Sequence, residues 1–200
     1  MPGSAVEHEI AQTAARWVVE EGLEWGAAKR RAVKQLGLPA RTALPDNDTL
    51  EAAVRDYIAL FCADTQPQEL RALRELALVW MERLQVFRPH LAGAVWRGTA
   101  TRNSDIYIGL FCDDPKSAEI ALIDHNVAYD VTPVTGFHGD TVDALSISSL
   151  CQPLGEHVGV HLLVYDYDDL RGALKADAQG RSARGDMQGL RQLLAMDGVA

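Results

Sequence analysis

A glycine-bounded turn followed by a strand that opens on a carboxylate is the feature of this sequence that most constrains its fold. The turn runs from Gly93 to Gly98, and the strand begins at Asp105 with the residues Asp-Ile-Tyr-Ile. Backbone N–H groups in a glycine turn can approach phosphate oxygens because no Cβ stands in the way. A nearby carboxylate can hold the magnesium that accompanies a triphosphate. The stretch therefore predicts a site for a nucleoside triphosphate.

The spacing of this stretch resembles the signature of the nucleotidyltransferase superfamily that includes DNA polymerase beta. That signature is Gly-Ser, about ten residues, then Ser-Asp-x-Asp on a strand. Gly93 matches the glycine, and Ser104 with Asp105 matches the Ser-Asp pair. The family has a third carboxylate on a neighbouring strand after a short helix, and Asp130 stands at the corresponding place, so the resemblance covers residues 89–134.

The resemblance implies a site and a reaction. Asp105 and Asp130 would be the catalytic carboxylates and would hold magnesium, while Arg97 or Arg102 would steady the phosphate charge. A nucleoside monophosphate would move from the triphosphate to an acceptor that the sequence does not identify. The residues expected to contact the nucleotide are Gly93, Ala94, Arg97, Gly98, Arg102 and Ser104.

Two residues depart from the family pattern. Ala94 replaces the serine that would contact phosphate, and Tyr107 replaces the second aspartate. Residues 105 and 107 alternate onto one face of a strand, so a second carboxylate there would share the metal. A tyrosine phenol stays protonated near neutral pH and cannot take that place. Two-metal chemistry is therefore expected to be impaired. The binding of one magnesium ion, carried by the triphosphate and held by Asp105 and Asp130, stays open as an alternative.

Two functions from different classes follow. The first is an active nucleotidyltransferase, and the second is a catalytically degenerate nucleotide-binding or protein-interaction module on the same fold. A helical adaptor or toxin–antitoxin component without a ligand also stays open. Both functions are compatible with a homo-oligomer or with a protein partner.

The apolar pattern predicts helices followed by a sheet. Helical spacing predicts helices over 5–21, 24–36, from Asp48, and from Thr65 to about Gln85. After Pro89 it predicts strands at about 91–96, 105–112, 127–134, 141–148 and 157–165, a helix from Asp113 to Asp124 and a hairpin loop at Gly136–Asp140. His157 and His161, about 13 Å apart along the last strand, are predicted to be core or surface residues and not ligands of one ion.

This order predicts the α+β class, with an N-terminal helical bundle packed on a nucleotidyltransferase-like mixed β-sheet with flanking helices. We divide the chain into a helical region at 1–88, a sheet domain at 89–175, and a flexible connector with a C-terminal helix at 176–200.

Composition limits the other function classes. The net charge of −9 argues against a general nucleic-acid surface. The basic run Lys29–Lys34 is interpreted as a solvated helix face, with a phosphate or RNA contact as the alternative. No apolar run approaches the length of a membrane span and the N-terminus lacks a signal-peptide pattern, so we expect no membrane partner and a cytoplasmic location. Cys62, Cys112 and Cys151 are expected to be buried thiols.

Overall fold

The computed structural model describes residues 2–176 and 180–197, with side chains from Ala5 onward. The chain forms two compact units, residues 1–67 with 99–104, and residues 68–98 with 105–200. Nearly all of the long helix after Thr65 therefore belongs to the unit that contains the sheet, whereas the sequence pattern grouped the chain up to residue 88 as one helical region. In the predicted connector before the C-terminal helix, residues 177–179 lie outside the described residues, and Arg184–Gly185 form a short strand where a flexible segment was expected.

Three helices build the first unit: α1 (Pro2–Glu21), α2 (Trp25–Gln35) and α3 (Asn47–Phe61). Their apolar faces share one core, which includes the fully buried Ile10 and Leu50. The N-terminus of α3 is capped by Asp46, whose carboxylate accepts a hydrogen bond from the Thr49 N–H at 2.7 Å. The sequence pattern had placed the start of this helix at Asp48, one residue later than observed.

The basic run on α2 is only partly a solvated face. Lys29 is buried, and its ammonium donates a hydrogen bond to Asn47 Oδ1 at 2.8 Å. Burial lowers the pKa of Lys29, and the nearby Asp46 carboxylate opposes that shift. The guanidinium of Arg31 lies over the Trp17 ring at 3.6 Å and forms an ion pair with Glu21. These two cations of the run therefore serve the packing of the first unit.

Residues 99–104 complete the first unit at the C-terminal end of α1. The Asn103 amide donates hydrogen bonds to the carbonyls of Val19 at 3.2 Å and Glu20 at 3.0 Å. The Gln66 amide donates to the Ala100 carbonyl at 2.8 Å. The last carbonyls of a helix have no partner within the helix, so this segment satisfies two of them.

The second unit contains a mixed sheet with helices. Its strands are β1 (His90–Ala92), β2 (Ile106–Cys112), β3 (Asp130–Thr135), β4 (Thr141–Cys151), β5 (Glu156–Asp166) and β6 (Arg184–Gly185). Its helices are α4 (Gln66–Arg83), α5 (Gly93–Arg97), α6 (Lys116–Asp124), α7 (Leu170–Ala173) and α8 (Met187–Asp197). The strand order is β3-β4-β5-β2-β1-β6. Only the β2–β5 pairing is parallel among these strands. The α+β class expected from the sequence is confirmed.

Most predicted elements are present, and one strand is shorter than expected. The strand predicted at 91–96 ends at Ala92 because Gly93 takes a φ of +70° and begins α5. A side chain at that position would be strained, so the glycine permits the change from strand to helix. The hairpin predicted at Gly136–Asp140 joins β3 to β4, which are antiparallel and paired from Thr135 and Thr141 outward.

The two faces of the sheet differ in what covers them. On one face, Ile108 and Leu162 are fully buried, and Trp80 of α4 donates its indole N–H to Ser149 Oγ at 3.0 Å. On the other face, Phe111 and Tyr165 pack against Ala173 of α7. The polar residues described in the next subsection lie on this second face, toward the N-terminal end of β2.

A buried arginine fixes the position of α5. Arg74 of α4 has a side chain only 5% exposed and bonds both oxygens of Asp197 on α8 at 2.7 and 3.0 Å. It also donates to the carbonyls of Val95 at 3.1 Å and Trp96 at 3.3 Å in α5. Cations stabilise a helix C-terminus because its last carbonyls carry partial negative charge. Arg74 thus ties three helices together.

Two remaining sequence expectations concern cysteines and membranes. Cys112 and Cys151 are buried thiols, and burial raises the pKa of Cys112 to about 11. Cys62 is half-buried. Within the described parts of the chain, no helix combines the length and the apolar character needed to cross a bilayer.

The Arg74 cluster generates a stability prediction. Arg74→Ala should lower the free energy of unfolding by about 3 kcal/mol, because it leaves Asp197 and two helix carbonyls without their buried partner. Urea denaturation followed by circular dichroism measures the change. Arg191→Ala is the control, because its ion pair with Glu82 is about half exposed on both sides and should contribute about 0.5 kcal/mol. Equal losses in the two variants would contradict the role given to Arg74.

Candidate functional site

The parallel pairing of β2 with β5 brings Asp105 and His161 together. Tyr107 pairs with His161, so their side chains lie on the same face of the sheet. Asp105 immediately precedes β2, and Gly159 lies two residues before His161 on β5. Because side chains alternate along a strand, Asp105 and Gly159 share that face with Tyr107 and His161.

A chain of hydrogen bonds runs through the His161 ring. Its Nε2 lies 3.0 Å from Asp105 Oδ2, and its Nδ1 lies 2.8 Å from Ser146 Oγ on β4. A carboxylate only accepts hydrogen bonds, so in the neutral imidazole Nε2 carries the proton and Nδ1 accepts from the Ser146 hydroxyl. The Gly159 N–H donates to Asp105 Oδ1 at 3.2 Å. Each polar atom of the pair therefore has a defined partner.

Gly159 leaves space for the Asp105 carboxylate, and Tyr107 packs against the His161 ring. A Cβ on Gly159 would lie 2.6 Å from Asp105 Oδ1, so only glycine leaves room for the carboxylate in this position. The Tyr107 ring stacks on the His161 ring with centroids 4.9 Å apart. The side chain of Asp105 is 46% exposed, that of His161 is 23% exposed, and Tyr107 is 40% exposed. The cluster is therefore open to a ligand from solvent.

The predicted glycine turn lies beside this cluster. It is one turn of helix, α5, bounded by Gly93 with φ +70° and Gly98 with φ +83°. A Cβ built on Gly93 would be 3.6 Å from the Tyr107 ring, which places the start of α5 next to Tyr107. Ala94 follows at the same end of the helix, whereas Arg97 and Gly98 are at its other end, where Gly98 lies next to the Arg74 guanidinium.

Two of the predicted nucleotide contacts belong to the first unit. The hydroxyl of Ser104 accepts a hydrogen bond from the Thr101 N–H at 3.0 Å, so it closes a local turn. Arg102 lies exposed in the same segment. Within the second unit, the structure thus places Gly93 next to Tyr107, whose side chain shares a face of the sheet with Asp105.

The structure does not bring Asp130 to Asp105. Asp130 is the first residue of β3 and pairs with Ser146, and β4 and β5 both lie between β3 and β2. Three strand spacings place the two residues at least about 14 Å apart. Oxygens that share one magnesium lie within about 4 Å of each other. The chain after α6 enters the sheet at its edge, so the first strand after the helix is not the neighbour of β2.

His161 and Ser146 are the site residues that sequence reasoning did not select. His161 had been predicted to be a core or surface residue, and Ser146 had no assigned role. One sequence signal pointed to His161, because it interrupts the apolar run Val158–Val164 two residues after a glycine. That pattern alone does not identify the strand beside Asp105.

These residues do not fit a two-magnesium centre. Of the residues that the structure describes, Asp105 is the only carboxylate in the cluster, Tyr107 occupies the second position, and His161 supplies nitrogen where magnesium prefers oxygen. Among the described residues, no group of three or more histidine, cysteine, aspartate or glutamate side chains is arranged to hold a metal. One magnesium bound mainly by the phosphates of a nucleotide needs only one or two carboxylates, and Asp105 meets that requirement.

Comparison with known proteins gave weak structural similarities only. Neither a protein-family model nor a curated protein matched the chain. A cytoplasmic RNA terminal U-transferase aligns with 60% of this chain and 39% of its own, at 14% identity and a TM-score of 0.38. Cid1 with the UTP analogue UMPNPP aligns with 50% of this chain and 31% of its own, at 14% identity and a TM-score of 0.33.

The poly(U) polymerase Cid1 bound to MgGTP gave a similar result, with a TM-score of 0.32 at 14% identity, over 50% of this chain and 32% of that one. The chain thus spans less than two fifths of the length of the structures it matches. These scores are too low for the similarity to bear on the activity, substrate or partner of this chain.

The close approach of Gly159 to Asp105 generates a prediction about the cluster. Gly159→Ala should displace the Asp105 carboxylate and break its bond to His161, while stability changes little because a flexible side chain can move aside. The ¹⁵N chemical shifts of the His161 ring, which report its tautomer and bonding, measure the loss. Ser148→Ala, at the exposed residue paired with Gly159 on β4, should leave those shifts unchanged. Unchanged shifts in Gly159→Ala would refute this geometry.

Proposed function

We propose that this chain is a nucleotidyltransferase-like protein that binds a nucleoside triphosphate and does not transfer its nucleotidyl group by two-metal chemistry. The triphosphate would approach as its magnesium complex, because Asp105 is itself an anion. The observation that supports this proposal is the contiguity of Gly93, Tyr107, His161 and Asp105 on one open face of the sheet.

The nucleotide part of the proposal rests on the glycine turn. Gly93 has a positive φ and no Cβ, so the chain turns from β1 into α5 directly beside the Tyr107 ring, where the backbone N–H groups of the turn would meet phosphate oxygens. Asp105, immediately before β2, lies on the same face, and one of its oxygens is held by the Gly159 N–H. A carboxylate held in this way can complete the coordination of one ion carried by the phosphates. The exposed Tyr107 ring offers a stacking surface between the start of α5 and Asp105.

The proposed absence of nucleotidyl transfer is based on which residues neighbour Asp105. Activating an attacking hydroxyl by two metals requires carboxylates that bridge both ions. In this cluster Tyr107 stands beside Asp105 on β2 and His161 stands beside it on β5, and neither provides a bridging carboxylate. The catalytic role first expected for Asp130 therefore has no support in its placement at the edge of the sheet.

Nucleotide titrations test the proposal. The full chain is titrated with labelled ATP, GTP, CTP and UTP in the presence of Mg²⁺, and pyrophosphate release is measured in parallel. Asp105→Asn should weaken binding at least tenfold, because the phosphate-bound ion loses its carboxylate. Asp130→Asn is the matched control, since Asp130 is also an exposed strand aspartate but lies far from the cluster, and its affinity should equal that of the unaltered chain.

Two outcomes would count against the proposal. Affinity that is absent, or equal in the unaltered chain and Asp105→Asn, would remove the nucleotide site. Pyrophosphate release from the unaltered chain that is lost in Asp105→Asn would instead show that transfer is retained.

A further inference from the structure

The mismatch between this cluster and two-magnesium chemistry points to a different ion. We propose that Asp105 and His161 together form a site for a borderline divalent metal such as Zn²⁺, Co²⁺ or Ni²⁺, and that the site binds this ion without a nucleotide. Asp105 Oδ2 and His161 Nε2 are the two protein ligands. Water, or a phosphate when a nucleotide is present, completes the coordination from the exposed side.

The separation of the two ligand atoms suits one ion. Asp105 Oδ2 and His161 Nε2 are 3.0 Å apart. Two ligands at a bond length of about 2.1 Å lie about 3.0 Å apart around an octahedral ion and about 3.4 Å apart around a tetrahedral one, so the observed separation is within a few tenths of an ångström of both. An ion bonded to both atoms would lie about 1.5 Å off the line that joins them, so it displaces the shared proton and the two side chains turn to direct their lone pairs at it. The parallel pairing of β2 and β5 fixes both ligands on rigid strands.

Both ligands have the outer hydrogen bonds that metal ligands commonly require. A metal-bound histidine usually donates its other ring N–H to an oxygen, and Ser146 Oγ lies 2.8 Å from Nδ1 to accept it. Ligating carboxylates are in turn hydrogen-bonded, and the Gly159 N–H bonds Oδ1 and leaves Oδ2 for the ion. The stacked Tyr107 ring further restrains the imidazole plane.

The types of ligand determine which ion is preferred. Imidazole nitrogen suits zinc, copper, nickel and cobalt, whereas magnesium prefers oxygen ligands in a near-ideal octahedron. A site with one carboxylate and one imidazole therefore selects against Mg²⁺ as long as no phosphate supplies further oxygens. The side chain that β5 places against Asp105 is the imidazole of His161 and not a carboxylate.

Ser146, His161 and Asp105 could be compared with a Ser-His-Asp catalytic triad. In this cluster, however, the carboxylate is the exposed member and the serine is the less accessible one. In such a triad the carboxylate is buried and the serine faces the substrate. In this cluster the Asp105 side chain is 46% exposed, and the bond between Ser146 and His161 is partly buried. The accessible edge of His161 is the one facing Asp105, and this favours an ion over a covalent step at Ser146.

Metal titration without nucleotide tests the proposal. The full chain is titrated with Zn²⁺ by isothermal titration calorimetry, and His161 ring signals are followed by NMR. We expect one site whose filling shifts the His161 signals, an affinity at least tenfold weaker in His161→Ala and Asp105→Asn, and about tenfold weaker in Ser146→Ala. His157→Ala is the control, because His157 is exposed on the same strand and face, and its affinity should match the unaltered chain.

A reversal of preference provides the second readout. His161→Asp should weaken Zn²⁺ binding relative to Mg²⁺, because it replaces nitrogen with carboxylate oxygen. Circular dichroism verifies that each variant folds, and His161→Gln replaces His161→Ala if the alanine variant does not. Equal Zn²⁺ affinity in the His161 variant and the unaltered chain, or displacement of Zn²⁺ by Mg²⁺ at a similar concentration, would overturn the proposal. Because no nucleotide is present, these results are independent of the triphosphate titrations.

Discussion

Seven residue pairs join β2 to β5 in parallel, from Ile106 with Val160 to Cys112 with Asp166, and the chemistry of the open face depends on this register. Side chains alternate with a period of two, so a slip of one residue would put an apolar side chain beside Asp105 and turn His161 toward the buried face. The fully buried Ile108 and Leu162 on the opposite face oppose such a slip. Hydrophobic burial on one face therefore holds the polar pair on the other.

A second constraint acts on the glycine turn. α5 has only five residues and makes few hydrogen bonds of its own, so its position depends on what holds its C-terminal end. Arg74 supplies that support from within the second unit, together with the Trp96 indole, which donates to the Ser182 carbonyl at 2.9 Å. Gly185 leaves the space that the Trp96 ring occupies. The start of α5 is thereby kept next to Tyr107.

An aromatic ring and an imidazole beside Asp105 limit what this sheet face can do. Two carboxylates around an ion favour magnesium and can bridge two metals, whereas Asp105 and His161 offer one charge and one nitrogen. The stacked Tyr107 and His161 rings add an apolar surface where a second anion would otherwise repel phosphate. Nucleotide binding without two-metal transfer is consistent with this set of side chains, because binding requires fewer charged ligands than catalysis.

The sequence by itself determined the order of most elements, the glycine turn before the strand, and the absence of a second carboxylate at Tyr107, because these depend on local periodicity and on residue type. It also predicted α6 and the β3–β4 hairpin, whose signals are turn residues and helix starts. Only the tertiary structure decided which strand lies beside β2. Asp130 follows α6 directly in sequence, yet β5 pairs with β2 more than fifty residues along the chain from Asp105. Strand partners are chosen by the packing of distant apolar faces, and for that reason the pairing of Asp105 with His161 could not be inferred from the spacing of the motif.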